Sequence, residues 1–331
     1  MKVVVIQRRT PGSVPTYEQL MELWEKEFRD MGLLESVAFH RNFTPETLDD
    51  IVGDADAVLG MWIQDGAISE EFLNRHPNLK YISTFAHGFG HFDRDMTRRH
   101  GLTVTNTVYG DVTIAQYAMA LLLDICHDVS AHDRYYKLDG WKEGAPPTYK
   151  ALTRQIELYE KTFGVLGLGS IGLWAARMAA GFGMKVIATS RTKKVGPEYD
   201  FIEQVSLDEL LSRSDVISIH VPMSPESAKM IGKDAIAKMK DGVILLNTAR
   251  GGLIDEEALL EALKSGKIYF AGLDVLTGEP LTERSPLMDV ENTRITPHIA
   301  WAPAEARYRA VRLAAVNFRN WMEGHPTSVV N

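Results

Sequence analysis

The segment F-G-V-L-G-L-G-S-I-G, residues 163–172, constrains this chain more than any other. An apolar run, Thr162–Leu166, enters a G-x-G-x-x-G turn, and a helical pattern over Leu173–Gly181 leaves it. That flanking context gives each glycine a task. Gly167 permits the tight turn, Gly169 lets a pyrophosphate reach the backbone, and Gly172 lets helix and strand pack closely. The helix N-terminus adds N–H donors and a partial positive charge. Gly167, Leu168, Gly169, Ser170, Ile171 and Gly172 therefore read as a dinucleotide-binding turn. The plainer alternative is a glycine-rich turn of an α/β domain that binds nothing.

Strands are expected after the turn at Lys185–Thr189, Val216–His220, Val243–Asn247 and Tyr269–Leu273, with the series ending near Arg294–Thr296. Before it, Val3–Ile6, Ala57–Leu59, Tyr81–Ser83 and Thr103–Thr105 alternate with helical patterns over Tyr17–Arg29 and Ser69–Arg75. Such alternation predicts parallel sheets with right-handed crossovers. A long apolar helix is expected over Val112–Val129, and residues 133–160, which hold Pro146 and Pro147, read as irregular. The final helix, Pro303–Glu323, is too amphipathic to stand alone and is expected to return to the first domain. At 331 residues the chain exceeds one compact core. The expected fold is α/β: two Rossmann-like or flavodoxin-like parallel-sheet domains with a cleft between them, a preferred place for ligands. Residues 1–106 and 298–331 would form a discontinuous substrate domain, and residues 107–297 the dinucleotide-binding domain.

A net charge of -8 argues against a nucleic-acid surface. It also requires that an anionic ligand be held by local Arg, Lys or helix N-termini. The single cysteine, Cys126, excludes an internal disulfide and a cysteine-rich metal site, and no metal is expected. In A-L-L-L-D-I-C-H it reads as a small buried hydrophobe. No apolar stretch approaches the roughly 20 residues of a membrane span. The opening M-K-V-V-V-I-Q reads as a strand rather than a leader. A cytoplasmic protein without nucleic-acid or membrane partners is the expectation.

Three later segments carry chemistry: N-T-A-R-G-G at Arg250, T-G-E-P at Glu279 and T-P-H-I-A-W-A at His298. They supply a fixed cation, a carboxylate and an imidazole, each just past a strand carboxyl end, where ligands bind in open α/β sheets. Arg grips a carboxylate bidentately, His delivers a proton near neutral pH, and a carboxylate orients the His. Reducing a 2-oxo acid with a nicotinamide needs those parts. Arg250 as a surface ion-pair partner and Glu279 as a turn residue before Pro280 are the plainer readings. His100, His127, His132 and His220 read as structural. In V-I-A-T-S-R-T-K-K, Ser190 stands where an NAD site places an acid, followed by Arg191 and Thr192. Nothing there repels a 2′-phosphate, so NADP is expected in preference to NAD. The alternative is that Arg191, Lys193 and Lys194 form an ordinary solvated loop.

F-G-V-L-G-L-G-S-I-G, H-V-P-M-S-P-E-S, L-L-N-T-A-R-G-G-L-I-D-E-E-A-L, A-G-L-D-V-L-T-G-E-P and I-T-P-H-I-A-W-A-P follow in order. The series resembles the D-isomer-specific 2-hydroxyacid dehydrogenases over nearly the whole chain. V-T-I-A-Q-Y-A at Val112–Ala118, Trp301, and I-C-H-D-V with His132 and Gly140-Trp141 are similar to the glycerate dehydrogenase/hydroxypyruvate reductase branch. The resemblance implies a homodimer, Arg250 as clamp of the substrate carboxylate, His298 as acid/base and Glu279 as its partner. It also implies Asp274 on the nicotinamide side, with Val221, Pro222, Ser227 and Ala249 lining the cofactor groove.

In the loop S-T-F-A-H-G-F-G-H-F-D, Ser83 to Asp93, Gly88 keeps backbone N–H groups available to a substrate carboxylate. His87, Phe89, Gly90 and His91 depart from the branch pattern. His87 either holds a polar substrate group or packs, and Phe89 implies a smaller pocket. His87, Gly88, Phe89, Arg250 and Trp301 are the expected substrate residues. The expected activity is reduction of a small 2-oxo acid, hydroxypyruvate or glyoxylate, to the D-2-hydroxy acid. The alternatives are a dehydrogenase of D-lactate or another D-2-hydroxy acid, or a non-enzymatic NAD(P)-sensing protein on the same fold.

Overall fold

The computed structural model describes residues 1–8, 12–60, 68–88, 92–143 and 150–331, with Pro45 by its backbone only. Phe89, Gly90, His91, Pro146 and Pro147 lie outside the described residues. The chain forms two compact units, Met1–Gly110 with Trp301–Asn331, and Asp111–Ala300.

The first unit runs β1 (Val3–Ile6), α1 (Tyr17–Asp30), β2 (Val37–His40), α2 (Pro45–Val52), β3 (Ala57–Leu59), α3 (Glu70–Arg75), β4 (Tyr81–Ser83), α4 (Arg94–Arg99) and β5 (Thr103–Thr105). The five strands pair in parallel in the order β2-β1-β3-β4-β5. The strands β1, β3 and β4 are buried throughout, because helices cover both faces of the sheet. Val4, Ile6, Val58 and Ile82 face Leu48, Phe72 and Met96 on one side, while Val3, Val5, Leu59 and Tyr81 face Leu20, Trp24 and Phe28 of α1 on the other.

The second unit begins with α5 (Asp111–His127) and α6 (Val129–Tyr135). Its sheet is built from β6 (Thr162–Leu166), α7 (Ser170–Gly181), β7 (Lys185–Thr189), β8 (Glu203–Gln204), α8 (Leu207–Arg213), β9 (Val216–Ile219), α9 (Lys233–Lys238), β10 (Val243–Asn247), α10 (Glu256–Ser265), β11 (Ile268–Leu273) and β12 (Thr293–Ile295). Seven parallel strands stand in the order β12-β11-β10-β9-β6-β7-β8. The order reverses beside β6, so the glycine turn leaves the sheet at its switch point, where such folds bind ligands. Cys126 is fully buried among Leu122, Ile125 and Val165, and burial pushes its thiol up to about 11. It is packing material. The final helix, α11 (Ala304–Met322), places Val311, Ala314, Ala315 and Phe318 in the α1 side of the first unit's core.

Several local expectations are corrected. The predicted helix over Val112–Val129 breaks at Asp128, which adopts φ +41 and caps α6 by accepting from the Ala131 N–H. The stretch read as irregular from residue 133 begins helical and continues as a π-turn over Tyr136–Gly140. The strands β2 and β8 were not expected; β2 is a partly exposed edge strand and β8 has two residues, too short for an alternation signal. Among the described residues no single helix is long and apolar enough to cross a membrane.

Candidate active site

The glycine turn has one face closed and one open. Gly167 adopts φ +104, and a Cβ there would lie 2.7 Å from the His220 carbonyl. A Cβ on Gly172 would lie 2.1 Å from the Gly167 carbonyl oxygen, because α7 begins at Ser170, three residues earlier than expected. Both positions exclude a side chain. Gly169, the N-cap of α7, meets nothing within 4 Å of its Cβ position and leaves the helix without a side-chain cap. Open space over uncapped N–H donors fits a pyrophosphate. Leu168 is buried in the core and offers only its backbone, Ile171 is half-buried, and Ser170 is exposed.

Past β7, the Ser190 hydroxyl donates to the Thr192 carbonyl at 2.8 Å, and Arg191 is exposed. Among the described residues no carboxylate forms an ion pair with Arg191. Glu226 is held below the usual carboxylate range by the Ser224 hydroxyl, then by its own N–H, with the Arg191 charge adding to both. Past β9, Ser227 closes the turn carrying Val221 and Pro222: its hydroxyl accepts the Ser224 N–H at 2.8 Å and donates to the Pro222 carbonyl at 2.9 Å.

Past β10, the buried Asn247 holds the next turn from both sides. Its amide donates to the Arg250 carbonyl at 2.9 Å and accepts from the Ala249 N–H at 3.0 Å. Arg250 leaves this turn extended, and its Nη1 donates to the Ala249 carbonyl at 2.6 Å. Burial lowers the guanidinium's pKa, and the Glu279 charge opposes that shift. No carboxylate of the described residues lies within ion-pair distance of it. A largely desolvated cation without a counter-ion favours an incoming anion.

The imidazole is placed by a buried acid. Asp274, at the end of β11, is fully buried. Its Oδ1 accepts from the Thr296 hydroxyl at 2.6 Å and the Ile299 N–H at 2.9 Å, and its Oδ2 accepts the Ala300 N–H at 2.8 Å. Its carbonyl takes the His298 N–H at 2.9 Å. Burial raises the carboxyl pKa, and the Thr296, Ala300 and Ile299 donors pull it back. The Asp274 carboxylate presents no surface and is spent on the loop that carries His298. That loop needs support, since His298 sits at φ +54, a left-handed backbone costing a non-glycine residue about 1–2 kcal/mol. Asp274→Asn puts an NH₂ where the Ala300 N–H must be accepted. It should cost about 1–3 kcal/mol of stability, readable as a lower urea midpoint.

Glu279 completes the set. Its Oε1 accepts the Leu276 N–H at 2.8 Å, and its Oε2 stands 2.7 Å from His298 Nδ1. A carboxylate here accepts only, so Nδ1 carries the hydrogen and Nε2 is left as the other ring nitrogen. Arg250, Glu279, His298 and the glycine turn all lie in the second unit, past strand carboxyl ends. The remaining substrate candidates lie in the first unit. Half-buried His87 accepts from Asn106 Nδ2 at its carbonyl, at 2.7 Å, and Gly88 is half-buried. Trp301 packs with Tyr109, Ala306 and Ala310. The sequence reading missed Asn247 and Thr296 as supports, although each lies inside a motif it singled out.

Residues 119–300 match the family model described as D-isomer specific 2-hydroxyacid dehydrogenase, NAD binding domain. The chain is 40% identical over 281 residues to a hydroxypyruvate reductase of Blautia hydrogenotrophica, covering 85% of this chain and 86% of that protein. It is 35% identical over 284 residues to a glyoxylate reductase of Korarchaeum cryptofilum, covering 85% and 84%. The solved structure of a glyoxylate reductase from Paecilomyes thermophila superposes with a TM-score of 0.82 at 27% identity, covering 100% of this chain and 98% of that one.

Proposed function

The chain belongs to the D-isomer-specific 2-hydroxyacid dehydrogenase family, and from that premise we propose that it reduces hydroxypyruvate to the D-2-hydroxy acid, or glyoxylate to its achiral 2-hydroxy acid, with NADPH. It is a nicotinamide-dependent oxidoreductase acting on CH–OH donors. The observation that carries the site reading is the 2.7 Å contact of His298 Nδ1 with Glu279, in the unit that also holds Arg250 and the open glycine cradle.

The turn Gly167–Gly172 and the first turn of α7 would hold the pyrophosphate, with Val221, Pro222 and Ala249 beside it. The bound nicotinamide supplies a hydride to the ketone carbon. Arg250 clamps the substrate carboxylate with its planar fork. His298 Nε2 gives its proton to the ketone oxygen, and Glu279 holds the ring through Nδ1. Gly88 and His87 would serve the substrate. Phe89 and Trp301 belong to the same proposal for substrate fit. The reading extends to a homodimer, as the family resemblance implies, and to the cytoplasm. The exposed Val129, Tyr136, Leu138 and Trp141 supply an apolar surface for the dimer.

NADP preference is supported by the lack of an acid at Ser190 and by the exposed Arg191, which has no ion-pair partner among the described residues. Arg191 together with the Thr192 hydroxyl can meet a 2′-phosphate, and the Ser190 hydroxyl can join them by turning away from the Thr192 carbonyl. Assays of NADPH and NADH with hydroxypyruvate, glyoxylate, pyruvate and longer 2-oxo acids test this. NADPH should be favoured, and Arg191→Ala should lower kcat/KM with NADPH about tenfold while sparing NADH, the scale of one charge-assisted hydrogen bond. NADH preferred by the parent protein sinks the NADP reading. Pyruvate as the best substrate favours a D-lactate dehydrogenase, and no oxidation with any acid favours a dinucleotide sensor.

A further inference from the structure

The loop that carries Glu279 has little support of its own. Residues 277–284 are all exposed, and Gly278 adopts φ +81. Both ends of this loop meet one carboxylate from another element, Glu256, the first residue of α10. Its Oε1 accepts the Thr277 N–H at 2.6 Å, and its Oε2 lies 3.4 Å from the Ser285 hydroxyl. The preceding N–H, of Leu276, is taken by Glu279 itself. Two successive amides are thus held by two carboxylates, one from the helix and one from the loop. Gly251 closes the other side: a Cβ there would lie 2.0 Å from the Leu276 carbonyl carbon, so the turn after Arg250 bears directly on the base of the same loop.

Capping α10 does not require Glu256. Asp255 does that, accepting the Glu257 and Ala258 N–H groups. The negative charge of Glu256 is favoured by the helix N-terminus, and a charged acceptor makes the Thr277 bond about twice as strong as a neutral one.

We propose that Glu256 is a positioning residue for the proton-transfer pair, stapling the Thr277–Ser285 loop so that Glu279 stands against His298. This rests on the reading of His298 and Glu279 as that pair.

The test compares Glu256→Ala, Glu256→Asp and Glu256→Gln with Glu279→Gln and with the Glu256→Ala/Glu279→Gln double variant. Two readouts are taken: steady-state reduction of a 2-oxo acid, and amide hydrogen exchange over residues 276–285. Glu256→Ala should lower kcat about tenfold with KM within about twofold, and should speed exchange of the loop. Glu256→Asp keeps the charge but falls one methylene short, so it should behave like Glu256→Ala. Glu256→Gln keeps an oxygen acceptor but loses the charge, so it should fall between the parent protein and Glu256→Ala in both readouts. Because Glu256 acts through Glu279, adding Glu256→Ala to Glu279→Gln should cost little more. Multiplicative losses in the double variant, or unchanged exchange in Glu256→Ala, overturn the proposal. A parent protein that reduces no 2-oxo acid, or a fully active Glu279→Gln, instead overturns the functional reading, and exchange then decides the staple alone.

Discussion

His298→Ala is expected to lower kcat for 2-oxo acid reduction by about a thousandfold, inside the roughly 10²–10⁴-fold range of a positioned general acid. KM for the acid and affinity for NADPH should move little, because Arg250 and the glycine turn are untouched. One complication is the backbone. His298 sits at φ +54, so any ordinary replacement also meets strain there. Asn tolerates that left-handed conformation better than most residues, so His298→Asn separates chemistry from folding. It should match His298→Ala in kcat while melting closer to the parent protein. A kcat within fivefold of the parent in both variants would remove His298 from the mechanism.

Arg250→Ala should be at least as costly, and in a different way. The substrate carboxylate would enter a site without its cation, and a buried charge left alone typically costs about 3–5 kcal/mol. That corresponds to roughly 10²–10⁴-fold in kcat/KM, with KM rising as well as kcat falling. Arg250→Lys should recover only part of this, since an ammonium cannot make the planar two-pronged contact. Stability should move the other way. Arg250 is desolvated, meets no carboxylate among the described residues and has its pKa lowered by burial, so removing it should leave the urea midpoint unchanged or raise it. Loss of activity with no loss of stability marks a group kept for its ligand. A variant that unfolds more easily and keeps its KM would make Arg250 a structural residue.

The parts of this fold legible in sequence were those where one local signal sufficed. Fully buried strands such as Val3–Ile6 and Val243–Asn247 show as short apolar, β-branched runs between helical patterns, and α7 shows through its glycines. The break at Asp128 was not legible. It depends on an αL residue whose side chain also meets Arg294, 166 positions away. The site divided in the same way. Arg250, Glu279 and His298 stand out as residue types in motifs, but their supports do not. Asp274 appears in sequence as one acid after a strand, and only its burial and its bonds to Thr296, Ile299 and Ala300 reveal that it builds the His298 loop. Glu256 is hidden for a related reason: its partners, Thr277 and Ser285, lie 21 and 29 residues away.

The placement of α11 also bears on the order of events during synthesis. Asp111–Ala300 is one continuous stretch and contains every strand of its own sheet, so it can close its core as soon as it leaves the ribosome. The first unit begins earlier yet finishes later. Its Val3, Leu59 and Tyr81 face waits for Val311, Ala314 and Phe318. At about 5–20 residues per second, the intervening stretch delays them by on the order of ten seconds or more. For that interval the part of this sheet face that α1 does not cover stands open on the nascent chain, the kind of surface a chaperone would meet first.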